Sequence, residues 1–265
     1  MLHGMHASLG AVRALLLDLD GVLYVEDEPV PGARDAVVEL RERGVALRFV
    51  TNTTARPRRR ILERLERLGF ALDASELSTP AALAVRLCRE RGHRRAALVM
   101  NEDVKEDFGE LEEVDAGADA VIVGDLGSDF GYDVLNRAFR QLMDGAELIA
   151  LQKNRFWMTP DGLSLDVGPF VAALEYATRR SALVVGKPAR EFFATILAGI
   201  PAEASAAAMV GDDVESDVGG ALGAGLAGVL VRTGKYRDDA LRASGVEPTA
   251  VVDSIADVPG LLGGG

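Results

Sequence analysis

Short apolar runs alternate with stretches of helical periodicity along almost the whole chain. The first run, Leu15-Leu16-Leu17-Asp18-Leu19, lacks polar alternation, which predicts a strand covered on both faces. A helix from about Gly32 to Arg43 follows, stopped by Gly44, and then an apolar strand, Val45–Val50. The next helix opens near Pro57 and places Ile61, Leu62, Leu65 and Leu68 on one face. The middle third repeats the alternation, with helices over Pro80–Arg91 and Tyr132–Met143 and strands at Ala96–Met100, Ala120–Val123 and Glu147–Leu151. After the less regular Gln152–Gly168 come a helix Pro169–Arg179, a β-rich run Ala182–Val185 and a helix Arg190–Ala198. Strands at Ala206–Val210, Gly228–Val231 and Ala250–Val252, with a helix Glu215–Ala224 among them, complete the pattern. Such alternation predicts an α/β fold built on a doubly wound parallel sheet. The middle third has strands and helices enough for a separate domain, although no Pro/Gly/Ser linker marks its edges near residues 78 and 182.

The polar residues that end these strands carry the chemistry. They are Asp18 and Asp20, Thr51 with Asn52 and Thr53, Lys187, and Asp212 with Asp213 and Asp217. Open parallel sheets gather their sites at the carboxyl ends of strands, so clusters far apart in sequence can meet there. Residues two apart in a strand share a side, so Asp18 and Asp20 converge if extended backbone persists through Leu19. Taken alone, that pair reads equally well as a solvated turn before Gly21. Several acids in one pocket need a cation, and an oxygen-only donor set without His or Cys selects Mg²⁺. Lys187 adds a compact positive charge suited to phosphate, and Thr51 and Asn52 add neutral donors. The set reads as phosphoryl transfer through an aspartyl phosphate.

Composition narrows the choice of partners and setting. A net charge of −12 argues against nucleic acid as a partner, which demands a basic face. No apolar run has the length of a membrane span, and Met1–Gly10 has no Lys or Arg and none of the regions of a signal peptide. The single cysteine, Cys88, excludes an intramolecular disulfide and lies near Leu83 and Leu87, as a buried structural thiol would. A soluble cytoplasmic protein is expected.

Other residues admit a structural and a functional reading. Arg56, Arg58, Arg59 and Arg60 are a solvated helix face or a phosphate-steering patch. Asp213 and Asp217 are acids favoured by a helix N-terminus, or outer-shell groups that contact metal-bound water or orient Lys187. Asn154, Arg155 and Trp157 belong either to a loop that closes over a site or to a hairpin with Trp157 in its core. Asp166 caps the following helix or helps it hold an anion. His3, His6 and His93 receive no catalytic role.

Four segments, Asp18-Leu19-Asp20-Gly21-Val22-Leu23, Thr51-Asn52-Thr53-Thr54, Gly186-Lys187-Pro188 and Gly211-Asp212-Asp213, resemble in order and spacing the motifs of haloacid dehalogenase superfamily phosphatases. The long insert between Thr54 and Lys187 resembles the α/β cap of subfamily IIA. The segments Arg48–Thr54, Asp166–Phe170, Ala173–Ala177 and Val231–Arg237 resemble two related branches of that subfamily. Those branches often carry Ser where this chain has Asp20. The resemblance implies a catalytic core of residues 1–78 and 183–265 and an inserted, substrate-selecting cap of residues 79–182. It implies Asp18 as nucleophile and Mg²⁺ ligand, and Asp20 as general acid and base whose backbone also binds Mg²⁺. Thr51, Asn52, Thr53 and Lys187 would hold phosphate, and Asp212 would bind Mg²⁺, with Asp213 and Asp217 secondary. Asn154, Arg155, Trp157 and Asp166 would select the substrate. The expectation is an Mg²⁺-dependent phosphohydrolase acting on a small phosphorylated metabolite, pyrophosphate or phosphoamino acid, with homodimerisation through the cap open. The alternatives are a phosphotransferase or mutase and a non-catalytic binding protein; retention of Asp18, Lys187 and Asp212 speaks against the last.

Overall fold

The Leu15-Leu16-Leu17 run lies at the centre of a six-stranded sheet and is fully buried. This computed structural model describes residues 9–159 and 162–262; His3, His6 and the Gly263–Gly265 end lie outside them. Strand order is Ala250–Val252, Ala227–Val231, Ala207–Gly211, Ala14–Asp18, Ala46–Val50 and Leu77–Ser78, and every pairing is parallel. Parallel strands are joined by helical crossovers that cover both sheet faces, which explains unbroken apolar runs in place of alternation. Register matters at the edge where the strands end. Asp18 pairs with Val50, and Leu17 pairs with Val210, one residue before Gly211. Three neighbouring strands therefore deliver their next residues to one edge.

The chain forms two compact units. The first comprises residues 1–51, 62–78 and 187–265, and the second residues 52–61 and 79–186. The second has its own parallel sheet, ordered Leu183–Val184, Glu147–Ala150, Ala120–Val123, Arg95–Val99 and Glu112–Glu113. Side chains alternate across it. Ala120 and Ile122 pack with Ala81, Ala84, Val85 and Cys88, while Val121 and Val123 pack with Ala138, Leu142, Val171 and Leu174. Cys88 is thus a core thiol, and burial pushes it up to about 11. The Leu183–Val184 strand pairs with Ile149 and Ala150. That pairing carries the second unit through Gly186, four residues past the expected boundary at 182.

Three local features refine or depart from the sequence expectation. The expected helix at Glu215–Ala224 opens as a π-helical turn over Val214–Gly219 and becomes α-helical only over Gly220–Gly223. The irregular segment contains an antiparallel hairpin, Phe156–Thr159 with Gly162–Leu165. Its Trp157 is 54% exposed, which excludes Trp157 from a core. A second small hairpin, Tyr24–Val25 with Glu28–Pro29, follows the first strand. Among the described residues, no helix is long and apolar enough to cross a membrane.

The centre of the first sheet should be the least tolerant of lost volume. Leu16→Ala, at a position with no exposure, is expected to cost about 3–5 kcal/mol, read as a lower urea midpoint.

Candidate active site

Asp18 is the last residue of the central strand and is buried, so its carboxylate needs a partner. Lys187 supplies one. Its Nζ donates to Asp18 Oδ1 at 2.7 Å and lies 2.7 Å from Asp217 Oδ1. Lys187, Asp212 and Asp217 are all buried, and carboxylate oxygens of Asp18, Asp212 and Asp217 lie within 4.8 Å of one another. Three acids therefore crowd one buried ammonium, an excess of negative charge in a low-dielectric setting, with Lys235 the next cation that acts on Asp212.

The shifts in proton affinity follow from that imbalance. Burial lifts the Asp18 carboxyl to about 6 against the pull of Lys187, and Asp212 adds to the rise. Burial together with the neighbouring Asp217 lifts Asp212 to about 7. Burial together with Asp18 lifts Asp217 to about 7. Burial alone would lower the Lys187 ammonium, but Asp18 and Asp217 outweigh it and hold the charge in place.

Backbone packs tightly against the acids. Gly21 has φ +80°, and a Cβ there would lie 1.9 Å from Asp212 Oδ2. Gly234 has φ +63°, and a Cβ there would lie 2.1 Å from the same oxygen. Only glycine lets both loops approach this carboxylate. The Lys235 backbone N–H donates to Asp212 Oδ2 at 2.7 Å, and the Thr233 hydroxyl donates to the Gly21 carbonyl. The other oxygen, Asp212 Oδ1, is buried and has no hydrogen-bond partner among the described residues. An oriented acceptor of this kind, facing two further carboxylates, suits a hard dication. The donor set fits Mg²⁺.

The structure brings together Asp18, Lys187 and Asp212 as expected, and it moves Asp217 into the same group. Asp217 is fully buried, also accepts from the Asp213 N–H at 3.1 Å, and lies within the π-helical turn. Asp213 acts as the helix cap, accepting from Glu215 and Ser216 N–H groups at 3.1 and 2.9 Å. The Asp20 side chain does not join the acids. It is exposed and accepts from the Tyr24 hydroxyl at 3.3 Å. Extended backbone ends at Asp18, so the two-residue spacing no longer makes the side chains converge. Thr51 is buried at the same edge, next to Val50, and its N–H donates to Ser78 O. Asn52 and Thr53 follow, half-buried, in the second unit.

Within that second unit, Asp166 accepts from Val167 N–H at 2.7 Å and from the buried Gln152 amide, so it serves as a helix cap. The Asn154 carbonyl accepts from Gly168 N–H at 2.9 Å, and the exposed Arg155 stacks over Phe156. Sequence reasoning passed over Tyr24 and the Thr233–Lys235 loop as parts of the site. The Val231–Arg237 segment, which resembles related branches of the subfamily, was the available signal for that loop.

Two family models match the chain, haloacid dehalogenase-like hydrolase over residues 15–115 and HAD-hydrolase-like over residues 184–258. The human haloacid dehalogenase-like hydrolase domain-containing protein 2 is 46% identical over 87% of this chain and 88% of its own length. A phospholysine phosphohistidine inorganic pyrophosphate phosphatase from Xenopus laevis is 40% identical over 97% of both chains. Among solved structures, a glycerol phosphate phosphatase from Mycobacterium tuberculosis in complex with magnesium superposes with a TM-score of 0.79 at 30% identity. That match covers 94% of this chain and 77% of the other.

Two measurements check the charge balance. A carboxyl with a higher proton affinity in the folded state stabilises the fold fully below its unfolded value, about pH 4. That stabilisation is lost as pH rises through about 6 to 7. In EDTA, the melting temperature should therefore fall from pH 4.5 to 7.5, with a shallower fall in Asp217→Asn. Added Mg²⁺ should raise it more at pH 7.5 than at pH 5. Gly234→Ala should weaken Mg²⁺ binding about 10- to 100-fold, read by titration calorimetry.

Proposed function

We propose that this chain, which belongs to the haloacid dehalogenase-like hydrolases and is a phosphatase among them, hydrolyses small phosphorylated substrates through a phosphoryl group carried on Asp18. The observation that carries this reading is the buried Asp18 carboxylate, held at 2.7 Å by Lys187 beside two further acids. Asp18 attacks phosphorus with its carboxylate oxygen, and the bond from phosphorus to the leaving oxygen breaks. Asp20 gives its proton to that oxygen. It then takes a proton from the water whose oxygen attacks the phosphorus, and the bond to Asp18 breaks to release inorganic phosphate.

Lys187 orients Asp18 and, with the donors of Thr51, Asn52 and Thr53, holds the phosphoryl oxygens. Asp18, Asp212 and the Asp20 backbone carbonyl hold Mg²⁺, with Asp217 beside them fixing Lys187. When bound, Mg²⁺ supplies charge compensation for the phosphoryl oxygens and the acids. The inserted unit acts as the cap that chooses the substrate, with the exposed Arg155 and Trp157 as its contact residues. Asp166 and Asn154 contribute by shaping the backbone around them. The relatives' names supply a substrate panel: inorganic pyrophosphate, phospholysine, phosphohistidine and glycerol phosphate.

Phosphate release from p-nitrophenyl phosphate should require Mg²⁺ and vanish in EDTA. Asp18→Asn should lower turnover by about 10⁴-fold or more while the protein stays folded by circular dichroism. Retained turnover in that variant would remove Asp18 from the nucleophile role.

A further inference from the structure

Asp20 lies outside the buried cluster, so something other than Lys187 must aim it. The Tyr24 side chain is 2% exposed, and its hydroxyl donates to Asp20 Oδ2 at 3.3 Å. The two residues are also tied through the backbone, where Gly21 N–H donates to Tyr24 O at 2.7 Å. Tyr24 is itself fixed from behind. The Arg64 guanidinium lies 4.3 Å from the centre of its ring, in the arrangement of a cation–π contact. Arg64 is only 16% exposed, donates to the Glu26 carbonyl and pairs with Asp27 Oδ1 at 3.1 Å. It thus ties down both residues of the turn that joins the Tyr24–Val25 and Glu28–Pro29 strands. Glu26 holds a left-handed backbone, φ 51°, at that turn, a conformation that outside support helps to maintain.

We propose that Tyr24, braced by Arg64, is a positioning residue that aims the Asp20 carboxyl at the leaving oxygen. By engaging Oδ2, the Tyr24 hydroxyl assigns the transferred proton to Oδ1. An exposed carboxyl on a glycine-flanked turn would otherwise sample several rotamers, and proton transfer requires one of them. The proposal rests on the reading of Asp20 as general acid, so its test separates the two.

The test compares kcat/KM for phenyl phosphate, whose leaving oxygen needs a proton, with kcat/KM for p-nitrophenyl phosphate, whose leaving oxygen scarcely does. Both report the step in which the leaving group departs. Asp20→Asn should lose far more activity on phenyl phosphate than on p-nitrophenyl phosphate. Tyr24→Phe keeps the ring under Arg64 and removes only the hydroxyl. It should lose about tenfold on phenyl phosphate and less than twofold on p-nitrophenyl phosphate. Arg64→Gln, which leaves Tyr24 in place but removes its brace, should show a smaller loss with the same selectivity. That variant serves as the second test should Tyr24→Phe not fold. Selective loss in Asp20→Asn with equal or no loss in both other variants would overturn the positioning role alone. Absence of selectivity in Asp20→Asn would overturn the general-acid reading, and the positioning role with it.

Discussion

Three buried carboxylates around one buried ammonium set the terms for everything else at this sheet edge. Taking an ion out of water costs several kcal/mol even after relaxation, and an ion pair recovers that only with good geometry. Lys187 meets the requirement for Asp18 and Asp217, each at 2.7 Å. Asp212 has no share in that direct contact and receives instead a backbone N–H from Lys235. The residual negative charge suits the site to the dication and the phosphoryl group proposed for it. In an acidic protein of net charge −12, the proposed anionic substrate depends on Lys187 and a bound dication to offset the field of the whole.

Supporting such a cluster demands a backbone that comes close without side chains of its own. Gly21 follows the first strand, Gly211 ends its neighbour and Gly234 follows the next strand along. A Cβ at Gly211 would lie 2.2 Å from Asp217 Oδ2, nearly as close as the ones at Gly21 and Gly234 would lie to Asp212. The acids are therefore walled by main chain, whose N–H groups favour negative charge. Behind them the sheet is wholly apolar, from Leu15 to Leu17 and from Ala207 to Val210. Rigid packing on that side and glycine contacts on the other leave the carboxylates little room to relax away from one another.

The parts legible in the sequence are those where polarity interrupts a buried strand. Asp18, Lys187 and Asp212 each follow an apolar run, and a residue of that kind at a strand end has few structural uses. The long helices and central strands were legible for the same reason, because periodicity sums over many residues. The two-residue strands Leu77–Ser78 and Glu112–Glu113 carry no periodicity and take their state from neighbours already in place. Asp217 stands out less in the sequence because helical spacing treats an early acid as a dipole partner. Its π-helical setting depends on packing that no local pattern encodes. Tyr24 and Arg64 were invisible because their contact joins positions 40 residues apart.

On the proposed mechanism, the paired aspartates divide one short motif between two chemistries. A nucleophile must be ionised, fixed and shielded from water, whereas a proton carrier must reach the leaving oxygen and exchange with solvent. Had extended backbone continued through Leu19, both acids would face the same pocket and compete for Lys187. Ending the strand at Asp18 and turning at Gly21 sends the second acid outward, into contact with Tyr24 in place of a charge. Different environments for neighbouring carboxyls are how one site holds an acid and a base at the same pH. In this chain the separation is made by backbone geometry, and the positioning role proposed for Tyr24 restores the direction that leaving the cluster took away.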